Sequence, residues 1–290
     1  LSSDAIGKLS SDQVVALSSG QFGSLTSDQI RSLSSDQIRA IETRDIAGLT
    51  TDQIRRFTTD QISKITTQQL GAMTSLQVAA ISSDAIGKMT SDQIVGLTSG
   101  QVSGLTSDQI KGLATDQIKV METRDLVRLS SDQVKFLTTD QLRALTSDQV
   151  GALSTLQLQA VSTDFISGLK TDQIVALTSA QVGALSVDQI KNLTTDQVRA
   201  IQSSDLAALK SDQIRGLTTD AIVKLTTDQI AGLSSAQLGS LRTDQIAKLT
   251  TDQVRSIETR DLVGLSTDQI RTLSSDAIGK LSSDQVVALS

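Results

Sequence analysis

LTTDQIRR at residues 49–56 runs directly into FTTDQISK at 57–64, and LTTDQVRA at 193–200 and LSTDQIRT at 265–272 carry the same pattern. The unit is eight residues long. Cut every eight residues from Leu1, the 290-residue chain yields 36 octads and leaves Leu289 and Ser290. The first position, usually Leu, and the sixth, usually Ile or Val, are apolar in all 36, which makes them the candidate core. The third is Ser or Thr in 35, the exception being Val187, and the second is Ser or Thr in 28. The fourth is Asp in 25 and the fifth is Gln in 27. No insertion interrupts the count, so nothing marks a linker. Repetition at a short fixed period is the signature of a solenoid, whose units complete one another's core.

A longer repeat lies above the octad. Octads with Ala at the fifth position start at residues 1, 81, 217 and 273, and VSTDFISG at 161 fills the equivalent place. Two octads later the fourth residue is Gly20, Gly100, Ala180 or Ala236. Five octads later come IETRDIAG at 41, METRDLVR at 121, IQSSDLAA at 201 and IETRDLVG at 257. The array thus divides into modules 1–80, 81–160, 161–216 and 217–272, and 273–290 begins a further copy because it repeats residues 1–18 letter for letter. The expectation is a window from a longer tandem array with a 272-residue period. Module lengths of ten and seven octads suggest coils of about 3.3–3.5 octads, so that seven octads make two coils and ten make three.

Three local structures compete for the octad. A continuous α-helix would rotate the apolar row by roughly 80° per octad, and no stripe would form. A β-solenoid would place the first and sixth positions on opposite faces of a strand and require a bend between them, although Ile, Val and Thr suit strands. It stays as the alternative. A short helix in each octad accounts for more residues. With the second position as N-cap, Gln falls at N3 and closes a capping box, and the flanking apolar pair forms a hydrophobic staple. Asp lies in the first turn and Lys or Arg at the far end, each favoured by the helix dipole. Glu42, Glu122, Lys170 and Arg242 cap poorly, so the cap is alternatively the third residue, or that residue is kept small because it packs between neighbours. The predicted fold is an all-α solenoid of short helices, one per octapeptide.

Composition narrows function. His, Cys, Trp, Tyr and Pro are absent and only four Phe occur, so the usual general base, a thiol nucleophile and the His and Cys metal ligands are missing. The chain reads as a non-enzyme without a cofactor, metal or small-molecule substrate. A formal net charge of -6 spread along the chain gives no nucleic-acid footprint. No apolar run approaches the ~20 residues of a membrane span. The Asp row could form a Ca²⁺ ladder, but the Gly-rich nonads of calcium rolls are absent, and the plain reading is a solvated first-turn Asp. Stacked Ser/Thr ranks suggest an ice-binding face, yet such faces are flat β surfaces and these pairs are adjacent.

The recurrent charged departures are the candidate contact residues: Glu42, Arg44 and Asp45; Glu122, Arg124 and Asp125; Glu258, Arg260 and Asp261. They suit links between coils or between subunits, or plain surface pairs worth ~0–1 kcal/mol. Phe165, in place of Gln, marks either a contact surface or a chance substitution.

LTTDQIRR at 49 and LTTDQIAG at 225 resemble the LTxxQ-type octapeptide repeats of very large bacterial surface or secreted proteins, many of them described as adhesion or haem-utilisation proteins. The resemblance spans the whole chain. It implies export and a cell-surface or extracellular role, but no haem ligand of the His, Tyr or Cys type is available. The functional expectation is a structural protein that self-associates into an extended rod, extracellular filament or sheath. The rival reading is a monomeric solenoid acting as an adhesin spacer or protein-binding scaffold.

Overall fold

The structure is a computed structural model that describes residues 1–289. It contains 36 short helices and, among the described residues, no strand. The protein is an all-α solenoid with one helix per octad. Contacts group it into two units, Leu1–Leu145 and Thr146–Ser290, and the division falls within the second ten-octad module.

Each helix spans four to six residues, as in Thr51–Ile54 and Ser27–Ser32, and begins at the third position of its octad. The second residue is the N-cap. Thr26 is extended (φ -68°, ψ 160°), its hydroxyl accepts from the Gln29 amide, and the Gln29 carboxamide accepts from the Thr26 amide. The two alternatives for the cap are thereby separated: it is the second position. Where that residue is Ala114, Lys170, Lys210 or Arg242, only the Gln half of the box forms.

The helix ends as economically as it starts. The amide of the next first-position residue bonds back to the sixth-position carbonyl, as Leu33 does to Ile30 at 3.3 Å, and Leu33 is extended (φ -62°, ψ 134°). No described residue has a positive φ. An αR-to-extended step is open to any residue, which is why the array bends at every octad without Pro or Asn-Gly.

Away from the first and last described coils both apolar positions are buried: Ile30, Ile38, Ile46 and Leu33, Ile41, Leu49 in the first unit, Ile214, Ile222, Ile230 and Leu217, Leu225, Leu233 in the second. Such helices are too short to persist alone. The fifth-position Gln joins one coil to the next. Gln69 accepts from the Thr66 amide at 2.8 Å, while its Nε2 donates to the carbonyls of Ile38 (3.1 Å) and Ile41 (2.7 Å) in the preceding coil. In the second unit Gln229 does the same with Val198 and Ile201. One side chain therefore caps its own helix and meets the carbonyls exposed at the bend below. These Gln are buried, as a fully partnered amide can be.

Contacts between successive coils join residues from 25 apart (Ser75 to Gly100; Gln159 to Ala184) to 31 apart (Gln93 to Ile62; Gln189 to Leu158). A coil in either unit thus holds more than three and fewer than four octads, a range that brackets the 3.3–3.5 inferred from module lengths.

The uniform third position follows from this stacking. It lies under the eighth position of the octad three further on: a Cβ at Gly104 would stand 3.0 Å from the Ser75 Cβ, and one at Gly216 would stand 2.9 Å from Val187 Cγ1. Ser, Thr and the Thr-shaped Val187 fit beneath such a neighbour. The seventh position is tight in places, where a Cβ at Gly151 would meet the Ala176 carbonyl oxygen at 2.7 Å; the fourth position is open, and a Cβ at Gly20 meets nothing within 4 Å. Gly151→Ala is therefore expected to destabilise the protein by about 1–3 kcal/mol through overpacking. Gly20→Ala is expected to stabilise it by about 0.5–1 kcal/mol through helix propensity and a stiffer unfolded chain. Urea unfolding of the two variants checks the pair; equal effects would sink the close-approach argument.

Candidate functional site: the aspartate octads

The candidate contact residues sit at helix N-termini. Helices Thr43–Ala47, Thr123–Leu126 and Thr259–Leu262 start from Glu42, Glu122 and Glu258, which make no side-chain cap bond. Arg44 bonds Glu42 at 2.7 Å and lies 3.8 Å from Asp45; Arg124 pairs with Glu122 and Asp125; Arg260 pairs with Glu258 at 2.7 Å and Asp261 at 3.4 Å. The arginines are about three-quarters exposed, so the Arg–Glu link belongs to the surface and stays within one octad.

The aspartates behave differently. Asp45, Asp125, Asp205 and Asp261 occupy the buried fifth position where other octads carry Gln, and Asp45 is only 1% exposed. Each accepts a hydrogen bond from the octad three before it. Ser19 Oγ donates to Asp45 and Ser99 Oγ to Asp125. Ser179 Oγ donates to Asp205 at 2.5 Å, and the Ser235 backbone amide donates to Asp261 at 2.9 Å. The second oxygen of Asp45 has no hydrogen-bond partner. A buried carboxylate held by so few partners is costly to desolvate, yet the arrangement occurs once in each of the four modules.

The residue after each donor serine is Gly20, Gly100, Ala180 or Ala236, the small residue that replaces Asp at the fourth position. The two marked octads of each module are thus vertical neighbours. Sequence reading missed this link, although the signal was present: a constant separation of three octads. Asp205, absent from the candidates because its octad lacks Glu and Arg, belongs with the other three.

Phe165 is fully buried, which removes the contact-surface alternative: the ring fills the core at the position Gln occupies elsewhere. Lys135 and Arg242 hold the exposed carboxyls of Asp132 and Asp244 below their ordinary range, mainly through direct hydrogen bonds. An open groove of about 780 Å³ in the second unit is lined by Arg215, Arg242, Asp212, Asp244 and Asp268. No described group of three or more acidic side chains is placed to hold a metal ion.

The family model of the ALTTAQ repeat matches residues 1–27, 38–75, 62–99, 118–155, 153–187, 198–235 and 254–290, together well over half of the chain. The chain belongs to the ALTTAQ repeat family. The matches fall in both units of the ALTTAQ array and cover all four aspartate octads in full. No curated protein matches the chain.

One further feature of the ALTTAQ array is exposed. Leu76 and Leu156 stand at the fourth position of the last octad in each ten-octad module, 74% and 66% exposed. The octads MTSLQVAA and LSTLQLQA carry no charge, nor do LTSGQVSG at 97 and LTSAQVGA at 177, three octads on. Helix Ser75–Ala79 stacks on Ser99–Ser103, and helix Thr155–Ala160 on Ser179–Ala184. Each unit therefore bears a charge-free strip topped by an exposed leucine. No described helix is long and apolar enough to cross a membrane.

Proposed function

We propose that this ALTTAQ array is a non-catalytic structural protein that associates laterally with further copies of itself, forming an extracellular filament or sheath at a bacterial surface. The observation that carries this reading is the pair of charge-free strips around Leu76 and Leu156. Copies of a chain with a formal net charge of -6 repel one another. Contact is cheapest where neither surface holds a carboxylate and both can bury apolar area. The export and surface location rest on the resemblance to large bacterial surface proteins.

Leu76→Asp with Leu156→Asp restores the residue most octads carry at that place, so the fold is retained. Sedimentation velocity over a range of protein concentrations is expected to show association of the wild-type chain and its loss in the double variant. Association that survives both substitutions would remove the strips as the contact. A wild-type chain that stays monomeric at every concentration would favour the spacer reading instead.

A further inference from the structure

We infer that the four buried aspartates are register locks, which decide which octad lies above which in an array otherwise almost indifferent to slippage. The difficulty they answer is intrinsic to the repeat. First and sixth positions are apolar in every octad, and Gln stands at the fifth position in 27 of 36. A coil one octad longer or shorter keeps apolar on apolar and Gln over carbonyl. Near-equal alternatives of this kind give several competing folds rather than one. Each octad rests on the one about a coil earlier, so one altered coil displaces every octad above it.

The aspartate octad removes the degeneracy by being particular about its neighbour. It takes a donor from the octad below, which Ser19, Ser99, Ser179 and Ser235 supply; with Ser or Thr at the third position of 35 octads this requirement does not itself choose the register. It also needs no carboxylate beside that donor. Gly20, Gly100, Ala180 and Ala236 meet this condition, whereas a slip of one octad from Gly20 brings Asp12 or Asp28 to the same place. Steric fit does not demand the small residue, because a Cβ at Gly20 stands in open space and one at Gly100 comes only within 3.8 Å of Ser75 Oγ. The exclusion is electrostatic: a carboxylate at the solvent-facing fourth position would stand beside the donor serine of a buried carboxylate that has already lost its own hydration, and like charge raises that cost. Arg44, Arg124 and Arg260 add a counter-charge from the fourth position of the aspartate octad itself. A buried polar group that gives up stability to specify register has precedent in coiled coils. The locks recur at intervals of 80, 80 and 56 residues, one per module.

The test exploits the absence of Cys from the chain. The pair Ser75→Cys with Gly104→Cys reports the native register, since an ideal Cβ at 104 lies 3.0 Å from that of Ser75. The pair Ser75→Cys with Gly112→Cys reports a coil one octad too long. Both pairs are placed in the wild-type chain and in a lock-free chain bearing Asp45→Gln, Asp125→Gln, Asp205→Gln and Asp261→Gln. That chain carries the ordinary fifth-position Gln at all four lock sites, so it is expected to fold.

After unfolding and slow refolding under oxidising conditions, the wild-type background is expected to cross-link only the native pair, and the lock-free background both. A lock-free chain that cross-links only the native pair overturns the inference. A second measurement stands apart from refolding: Gly100→Asp is expected to lower the urea midpoint of the wild-type chain and to leave it unchanged when combined with Asp125→Gln. An equal loss in both backgrounds also overturns it.

Discussion

Gln69→Leu is expected to lower the free energy of unfolding by about 2–6 kcal/mol, since it strands two polar groups at about 1–3 kcal/mol each. The wild-type side chain accepts from the Thr66 amide and donates to the Ile38 and Ile41 carbonyls, and it is 2% exposed. Ile38 keeps a second partner, because its carbonyl also accepts from the Ile41 amide. The Ile41 carbonyl and the Thr66 amide have no such reserve, and leucine offers neither donor nor acceptor. The change also cuts the polar link between two coils, so amide exchange is expected to accelerate in the octads on either side more than in distant ones. Urea unfolding with exchange mass spectrometry measures both. A loss below about 1 kcal/mol, or exchange unchanged around residues 38–69, would reduce Gln to a helix cap.

Ile62→Ala carries the second large effect, about 2–5 kcal/mol, through lost burial and the cavity left behind. Ile62 is fully buried at the sixth position, and its carbonyl accepts from Gln93 Nε2 at 2.8 Å, a bond the substitution leaves in place. The loss therefore reports packing alone. Leu76→Ala is the matched control: that side chain is exposed, and its truncation is expected to change stability by less than about 0.5 kcal/mol. Comparable losses at the two sites would contradict the division of the octad into a core face and an outer face.

The octad itself was legible except for its cap, which sequence left between the second and third positions and the structure placed at the second. Apolar residues at the first and sixth positions, Asp in the first turn and Gln near the helix start are local signals, acting within one helical turn, so the residues of LTTDQIRR suffice to read them. The all-α solenoid followed from them, because helices so short must stack. Stacking partners are a different matter. The donation from Gln69 to Ile38 and Ile41 crosses 31 and 28 residues, and nothing in the octad names those carbonyls. The uniform third position was visible in sequence, but its cause, the eighth-position residue of a later coil above it, was not.

The aspartate octads mark the same boundary. Their recurrence is written in the sequence, as is that of the Gly or Ala octads, and so is their separation of three octads. That Asp45 is buried while Arg44 and Glu42 stay at the surface was decided by the coil, which brings Ser19 beneath Asp45 and leaves the arginine in solvent. The exposure of Leu76 and the burial of Phe165 have the same origin: the fourth position of every octad points away from the stack and the fifth points into it. Sequence by itself determined the repeat, the helix and its two apolar positions, because those depend on neighbours along the chain. Only tertiary structure decided which octads touch, because that depends on how many residues close a coil, and near-identical octads leave the count open.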